Sequence, residues 1–493
     1  MRALAEVCEE CDTIHGDRGS FWPRCGTGIL DDMLKQTNGR LLPLRLPPID
    51  LYFYHMDRPS HPTTFVSHMF LSGQLDRDAF RAAVEDAICT HPLLGSIVGR
   101  ARKNELCWVK PENPSPRIEW VAEDQPIRFT DGERIDINRE PGLRLWVKQM
   151  EDRCEIAGQF HHACTDGTGA HRFWGSLLGG YGIRTTTSGD RPTLAHYDAQ
   201  LLKIRRSKLA EECMTLAHNF SLANLFRMVQ RSLGVWWTKY NQKAVPLALS
   251  GRQPIGEDAA DSFPGVLTHV FTKQQHQQLR QAASSHNAMM NDLLTAELFA
   301  VMSQWNRRHG KPRGRDRLRI LMPTDLRDQN DFSMPAANMT STTFLTRRAD
   351  ECDQPGLIAS VREQMMKIKR DQEGKMMMDT FTATDHLHVG LLPFLLRKSS
   401  CLATITFTNI GDPTRRLLGT FPRERGQLVC GNLTLERMVG VSPLRDLTRA
   451  AVTAVTFNRE LLVNVRFDPK LMSMVDTREF LDLYVERLEQ HLS

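Results

Sequence analysis

No stretch of this sequence approaches the roughly 18 consecutive apolar residues that a membrane-crossing helix needs. The best candidate, Val389–Leu396, is broken by Gly390 and Pro393. The opening residues carry acids and cysteines where a secretory signal has a basic start and an apolar run, so a cytoplasmic location is expected. Net charge is also scarce. Lys and Arg number 63 against 58 Asp and Glu, a formal +5, which excludes the strongly basic composition of a dedicated nucleic-acid binder. Regular cysteine spacing is missing as well: the 11 cysteines are scattered, as reduced thiols are, and do not form a disulfide framework. Internal repeats and low-complexity tracts are absent. What remains, at 41% hydrophobic and 25% charged residues, is a folded globular chain long enough for two or more domains.

The small net charge is unevenly spread. Residues 201–245 hold eight basic residues against Glu211 and Glu212, and residues 307–319 hold seven against Asp316, so the rest of the chain is net acidic. In the first patch Leu225, Phe226, Val229, Leu233, Trp236 and Trp237 fall at helical spacing. That stripe reads either as a helical connection packed on the body or as a peripheral membrane contact. The second patch, with Gly310, Pro312 and Gly314, reads as a loop before a strand. It is either a solvated surface or, through Arg313 and Arg315, a site for donor phosphates, since guanidinium groups suit bidentate phosphate binding.

Four segments follow from local pattern. Residues 1–40 contain Cys8, Cys11, His15 and Cys25, which are zinc-ligand types at intervals matching no finger, so a poorly ordered extension without metal is expected. Residues 41–185 form a first lobe. It has a strand at Phe65–Leu71, a helix capped by Asp76 and ending near His91-Pro92, and a hairpin of Leu143–Met150 with Glu155–Phe160. A helix then runs over Gly169–Leu178. Residues 186–262 are a partly helical connection. Residues 263–493 form a second lobe, with strands at Val266–Phe271, Leu318–Met322, Ala403–Thr408, Ala451–Phe457 and Glu460–Phe467, a helix over Asn291–Gln304 and another from Thr477. Strands interleaved with helices in both halves predict an α/β architecture of two comparable lobes.

The chemistry concentrates in Phe160-His161-His162-Ala163-Cys164-Thr165-Asp166-Gly167, at the end of a strand and the start of a helix. Two histidines and a carboxylate are metal-ligand types, but adjacent side chains at a strand end point to opposite faces and do not chelate together. Both histidines can also be structural, satisfied by backbone partners. A third reading makes one of them a general base, because imidazole titrates near neutrality. Cys164 as a nucleophile lacks any feature that lowers a thiol pKa.

This tract resembles the HHxxxDG motif of condensation domains and related acyltransferases, the superfamily with the chloramphenicol acetyltransferase fold. Further resemblances run in order along residues 43–490. They are Pro48-Ile49-Asp50, the helix ending His91-Pro92-Leu93-Leu94, Asn291-Asp292-Leu293-Leu294, Pro323-Thr324-Asp325-Leu326-Arg327 followed by Asn338, and Thr408-Asn409-Ile410-Gly411. The resemblance implies two lobes, each a mixed sheet with flanking helices, with an active-site channel at their interface. It implies that His162 is the base, preceded by His161, and that Asp166 is structural and paired with Arg327. Gly167 would leave room for substrate, and Asn409 would hold either an oxyanion or its own strand. The activity implied is transfer of an acyl group from a thioester to an alcohol or amine, with no bound cofactor or metal. The co-substrate is acyl-CoA, favoured over acyl-phosphopantetheine on an acyl-carrier protein, and the acceptor is a small molecule or lipid. No Asp-Phe-Gly-Trp-Gly occurs, which departs from the plant alcohol acyltransferase branch. The free-standing alcohol acyltransferases and wax ester synthases are the nearest branches. No carrier or adenylation segment is seen, so the donor is expected in trans. A carrier-dependent amide-forming enzyme and a non-catalytic binding protein of the same fold are the alternatives.

Overall fold

The computed structural model describes residues 41–101, 104–129, 132–205, 243–254, 265–375 and 401–492. The cysteines of the first 40 residues, the apolar stripe Leu225–Trp237 and the Val389–Leu396 run lie outside the described residues.

Two mixed sheets with flanking helices organise the chain. The first has β5 (Arg117–Val121), β6 (Leu143–Gln149), β7 (Arg153–His161), β2 (Thr64–Ser72), β14 (Leu433–Val441), β13 (Gln427–Cys430) and β12 (Arg423–Glu424), in that spatial order. The second has β10 (Thr340–Arg348), β9 (Arg317–Asp325), β11 (Ile405–Gly411), β15 (Ala450–Phe457), β16 (Glu460–Phe467) and β8 (Leu267–Phe271). A small third sheet joins β1 (Leu44–Arg45), β4 (Leu106–Val109) and β3 (Ile97–Arg100). Strands β5 and β6 pair in parallel, as does β11 with both its neighbours, and the other pairs are antiparallel.

The predicted hairpin forms with β6 against β7, Leu143 facing Phe160. Strands β15 and β16 are buried along nearly their whole length, polar Thr453, Asn464 and Arg466 included. A second lobe contiguous over 263–493 takes a correction here. Strand β14 leaves that region and pairs with β2, Val441 opposite Val66, so residues 423–441 complete the first sheet. One apolar core accordingly draws on both halves, packing Leu321, Phe344, Val455 and Leu462 with Phe160, Leu143 and Trp174.

The first described helix, α1 (Pro48–Met56), starts with proline at a position whose N–H is unpaired in any helix. Helix α2 (Arg77–Thr90) is capped by Asp76, whose carboxylate accepts from the N–H groups of Asp78 and Ala79. Helix α3 (Gly167–Thr185) is buried over most of its length. Helices α4 (Lys273–Ser285), α5 (Met290–His309), α6 (Leu357–Arg370) and α7 (Met474–Glu489) belong to the second half.

Glycine lets α3 come within backbone distance of its neighbours. A Cβ at Gly175 would lie 1.4 Å from the Leu417 carbonyl oxygen, so no side chain fits without moving the 413–417 turn. At Gly167, the first residue of the same helix, an added Cβ would meet no atom within 4 Å. Gly175→Ala is therefore expected to lower the unfolding free energy by about 3 kcal/mol or more, against about 1 kcal/mol or less for Gly167→Ala. Equal urea midpoints for the two variants would refute this account of the packing.

Candidate active site

Strand β7 ends at His161, and the backbone N–H of His162 donates to the Thr63 carbonyl at 2.7 Å, beyond the start of β2. Three residues of turn then lead to Asp166, whose carboxylate caps α3 by accepting from the Gly169 N–H at 2.8 Å. The two histidines diverge, as strand alternation requires. His161 is fully buried, its Nδ1 accepts from the Ala163 N–H at 3.1 Å, and its Nε2 lies 3.7 Å from Asp57 Oδ1. Burial raises the Asp57 pKa, but His161, the Thr63 N–H and Arg134 outweigh it and hold the carboxyl below its ordinary range. The rings thus do not converge on a common ligand position.

His162 is part-buried and lines a cavity of about 190 Å³ between the two sheets. Phe53 of α1 stacks on its ring with centroids 3.9 Å apart and planes 7° from parallel, and Phe65 meets it edge-on at 5.1 Å. The Asn338 side-chain amide donates to its backbone carbonyl. Desolvation lowers the imidazole to about 4, helped by Arg445 and His161 and opposed by Asp166 and the residue's own carbonyl. At neutral pH the ring is therefore uncharged and able to accept a proton.

Asp166 sits in a nearly dry clasp. Arg327 donates to both of its oxygens, at 2.9 and 3.0 Å, and the Met339 N–H adds a further bond at 2.8 Å. The side chains of Asp166 and Arg327 are 5% and 6% exposed, so this is not a surface ion pair. Burial raises the carboxyl, but Arg327 and the N–H groups of Gly169 and Met339 reverse the sign and hold its pKa below the usual range. Arg327 also donates to Asp325 and to the Ala337 carbonyl. Asp325 in turn accepts from Thr168 Oγ1, which accepts from Arg416. With all four of its bonds taken from N–H groups, Asp166 holds geometry and has no proton to move.

The other residues singled out from the sequence divide, some lining the cavity and some lying away from it. Gly167 lines the cavity beside His162. Asn409 also lines it, but its amide is engaged, accepting from the Gly411 N–H at 3.0 Å and donating to Asn291 at 3.2 Å. Cys164 is fully buried, and desolvation with nearby Asp50 pushes its thiol well up, which is the wrong direction for a nucleophile. Arg313 and Arg315 are exposed beyond the far end of β9, with roughly 25 Å of extended strand between Arg317 and Asp325. The basic patch around them is not a uniform surface. Arg319 is buried, and Arg307 and Arg308 are neutralised by Asp353 and Glu479. In the other patch Arg205 is fully buried, with its guanidinium 2.6 Å from Asp50.

Sequence reasoning missed the stacking by Phe53 and Phe65, and the convergence of Asp50, Trp108 and Arg205. Trp108 donates to Asp50 at 2.9 Å, while Arg205 also donates to the Asn338 carbonyl at 3.2 Å. Asp50 stands out only within the Pro48-Ile49-Asp50 resemblance, and no local pattern shows what any of these residues touches, because their partners lie more than 50 positions away in sequence.

Two outcomes follow. Removing the guanidinium leaves a buried carboxylate unpaired, so Arg327→Ala should lower stability by about 3–5 kcal/mol, with a less than additive effect when combined with Asp166→Asn. Separate unfolding curves showing strict additivity would contradict the clasp. The second concerns acid. His162 at about 4, His171 at about 4 and His91 at about 3 are all depressed by burial from 6.5, so each takes up a proton on unfolding. Their stabilisation is complete above 6.5 and is lost as the pH falls toward 4. Asp50, raised by burial to about 6, acts with the opposite sign, one group against three. Unfolding free energy should therefore fall between about pH 6.5 and pH 4.5, above the range where depressed carboxylates act. A flat or rising profile by urea titration would exclude this.

No family model matches the chain. An uncharacterised protein of Mycobacterium tuberculosis is 24% identical over 316 residues, covering 62% of this chain and 67% of that protein. Among solved structures, the trichothecene 15-O-acetyltransferase of Fusarium sporotrichioides superposes with a TM-score of 0.59 at 13% identity, over 90% of this chain and 94% of that one. Polyketide synthase associated protein 5 of Mycobacterium tuberculosis gives 0.56 at 15% identity, over 91% and 98%. The first condensation domain of the calcium-dependent antibiotic synthetase gives 0.61 at 13% identity, over 91% and 95%. Among the described residues no helix is long and apolar enough to cross a membrane. The chain has the two-lobed α/β fold shared by condensation domains and acetyltransferases, and the second of its paired histidines, His162, opens onto the cavity between the two sheets.

Proposed function

We propose that this protein is an acyltransferase in which His162 is the general base. The observation that carries the reading is an uncharged imidazole, clamped between Phe53 and the first sheet, that faces a cavity between two sheets. In this reading an acceptor hydroxyl or amine gives its proton to His162 as its oxygen or nitrogen attacks the carbonyl carbon of a thioester. The C–S bond then breaks, and the imidazolium returns the proton to the departing sulfur, so the products are an ester or amide and a free thiol. General-base assistance of this kind contributes typically about 10²–10⁴-fold. Stacking on Phe53 and the Asn338 bond to the His162 carbonyl restrict the ring, which favours a fixed attack geometry. Asp166 and Arg327 position the turn that carries the histidine. Gly167 keeps the cavity wall beside it free of a side chain.

The donor proposed is acyl-CoA, with an acyl-carrier protein as the alternative source of the same thioester. The likeness to a protein named as an O-acetyltransferase supports a hydroxyl acceptor. Arg313 and Arg315 have no part in the proposal, because neither lines the cavity, which β9 first reaches at Leu321.

The test is thiol release from a panel of acyl-CoA donors with alcohols and amines, repeated with carrier-bound acyl groups. His162→Ala should lower the rate at least about a hundredfold while circular dichroism and melting stay unchanged. Full activity in that variant would sink the general-base role. Thiol release from no donor, free or carrier-bound, would leave a non-catalytic binding protein of the same fold.

A further inference from the structure

The tract that carries His162 has an arginine–carboxylate pair at each end. Asp166 and Arg327 close the far end. At the near end stands Asp57, the residue that ends α1, with a side chain 5% exposed. One of its oxygens, Oδ2, accepts from Arg134 Nε at 2.8 Å. The other, Oδ1, accepts from the Thr63 N–H at 3.0 Å and lies 3.7 Å from His161 Nε2.

Three routes lead from this carboxylate to the proposed base. Thr63, bonded to Asp57 through its N–H, accepts from the His162 N–H through its carbonyl at 2.7 Å. The Asp57 N–H donates to the Phe53 carbonyl at 3.1 Å, and Phe53 is the ring stacked on His162. The third route runs through His161. Its Nδ1 accepts from the Ala163 N–H, so the hydrogen of the neutral ring is on Nε2, the nitrogen that faces Asp57. That nitrogen is buried and has no hydrogen-bond partner among the described residues.

Which ring nitrogen of a histidine carries the hydrogen is set by the groups that meet the two nitrogens. The opposite tautomer of His161 would set a lone pair against a carboxylate and an N–H against the Ala163 N–H. It would break the bond that closes the turn around His162.

Resting on the acyltransferase reading of the same site, we infer that Asp57 is a positioning residue for the reaction. Its Oδ1 fixes His161 as the Nε2–H tautomer, and through that ring and Thr63 it holds the His162 backbone in the geometry that proton transfer needs. Arg134 serves Oδ2 and is 38% exposed, so solvent can satisfy both when they part, and one acceptor oxygen at the Oδ1 position suffices. Misplacing a catalytic group by about 1 Å can cost about 10²-fold in rate, and a loss of that kind falls on kcat and not on substrate binding.

The test reads the ring directly. In protein carrying isotope-labelled histidine, the resonances missing from a His161→Gln variant identify His161, and long-range nitrogen–proton spectra report which nitrogen holds the hydrogen. The wild type should hold it on Nε2, Asp57→Asn should keep it there, and Asp57→Ala should lose that preference. In thiol release Asp57→Ala should lower kcat about tenfold or more with KM within about twofold of the wild type, and the isosteric Asp57→Asn should restore kcat to within about threefold. A hydrogen on Nδ1 in the wild type overturns the inference, as does an unchanged tautomer, an unchanged kcat or a change confined to KM in folded Asp57→Ala. Should Asp57→Ala not fold, the other two proteins still decide, because loss of the Nε2–H tautomer or of kcat in Asp57→Asn overturns it as well. Thiol release from no donor would sink the acyltransferase reading and leave the tautomer to be judged by the spectra, whereas undiminished release by folded Asp57→Ala would sink the inference and leave that reading intact.

Discussion

One guanidinium holds the two halves of this molecule in register. Arg327 leaves the end of β9 in the second sheet and closes on Asp166, the cap of α3 beneath the first. Because both groups are nearly excluded from water, neither tolerates the absence of the other, and the pair acts as a registry device more than as a source of net stability. The position of the His161–Asp166 turn, the direction of α3 and the path of residues 326–339 all depend on this one pair. Met339 and Ala337 complete the clasp through the backbone, so the second-sheet loop cannot shift without breaking bonds to the carboxylate.

The histidine itself is governed by the opposite force. Among the described residues no ion pair is made by His162; aromatic rings and burial surround it, and the result is an imidazole that stays neutral well below physiological pH. Burial thus has two effects within five residues. At Asp166 it is overcome by four N–H groups and the carboxylate stays charged, while at His162 it prevails and the ring stays uncharged. That contrast divides positioning from proton transfer.

Much of the secondary structure was legible locally. Asp76 stands three residues before Ala79 and caps its helix as read; Leu143–Gln149 and Arg153–His161 pair as a hairpin because a polar turn divides two apolar runs. The tract His161–Gly167 could be placed between a strand and a helix on the same grounds, and its pairing with Arg327 followed from resemblance. Three things were not legible. Residues 423–441 give no sign that they join the first sheet, since a strand's sequence does not name its neighbour. Phe53 reads as one more apolar residue near Pro48, though it forms a face of the site. Arg205 counts as part of a basic surface by composition, yet it is fully buried against Asp50, because burial of a charge depends on a partner 155 positions away.

The sequence by itself determined the class of architecture, the elements around the paired histidines and the residue types available for proton transfer, all of which depend on periodicity, capping and side-chain chemistry within a few positions. Tertiary structure alone decided the rest: which histidine is sealed and which faces a cavity, which arginines are ligands and which are surface, and which carboxylate stands beside His161. Those properties come from desolvation and from contacts between segments brought together only when the two sheets close, and no local window of sequence contains them.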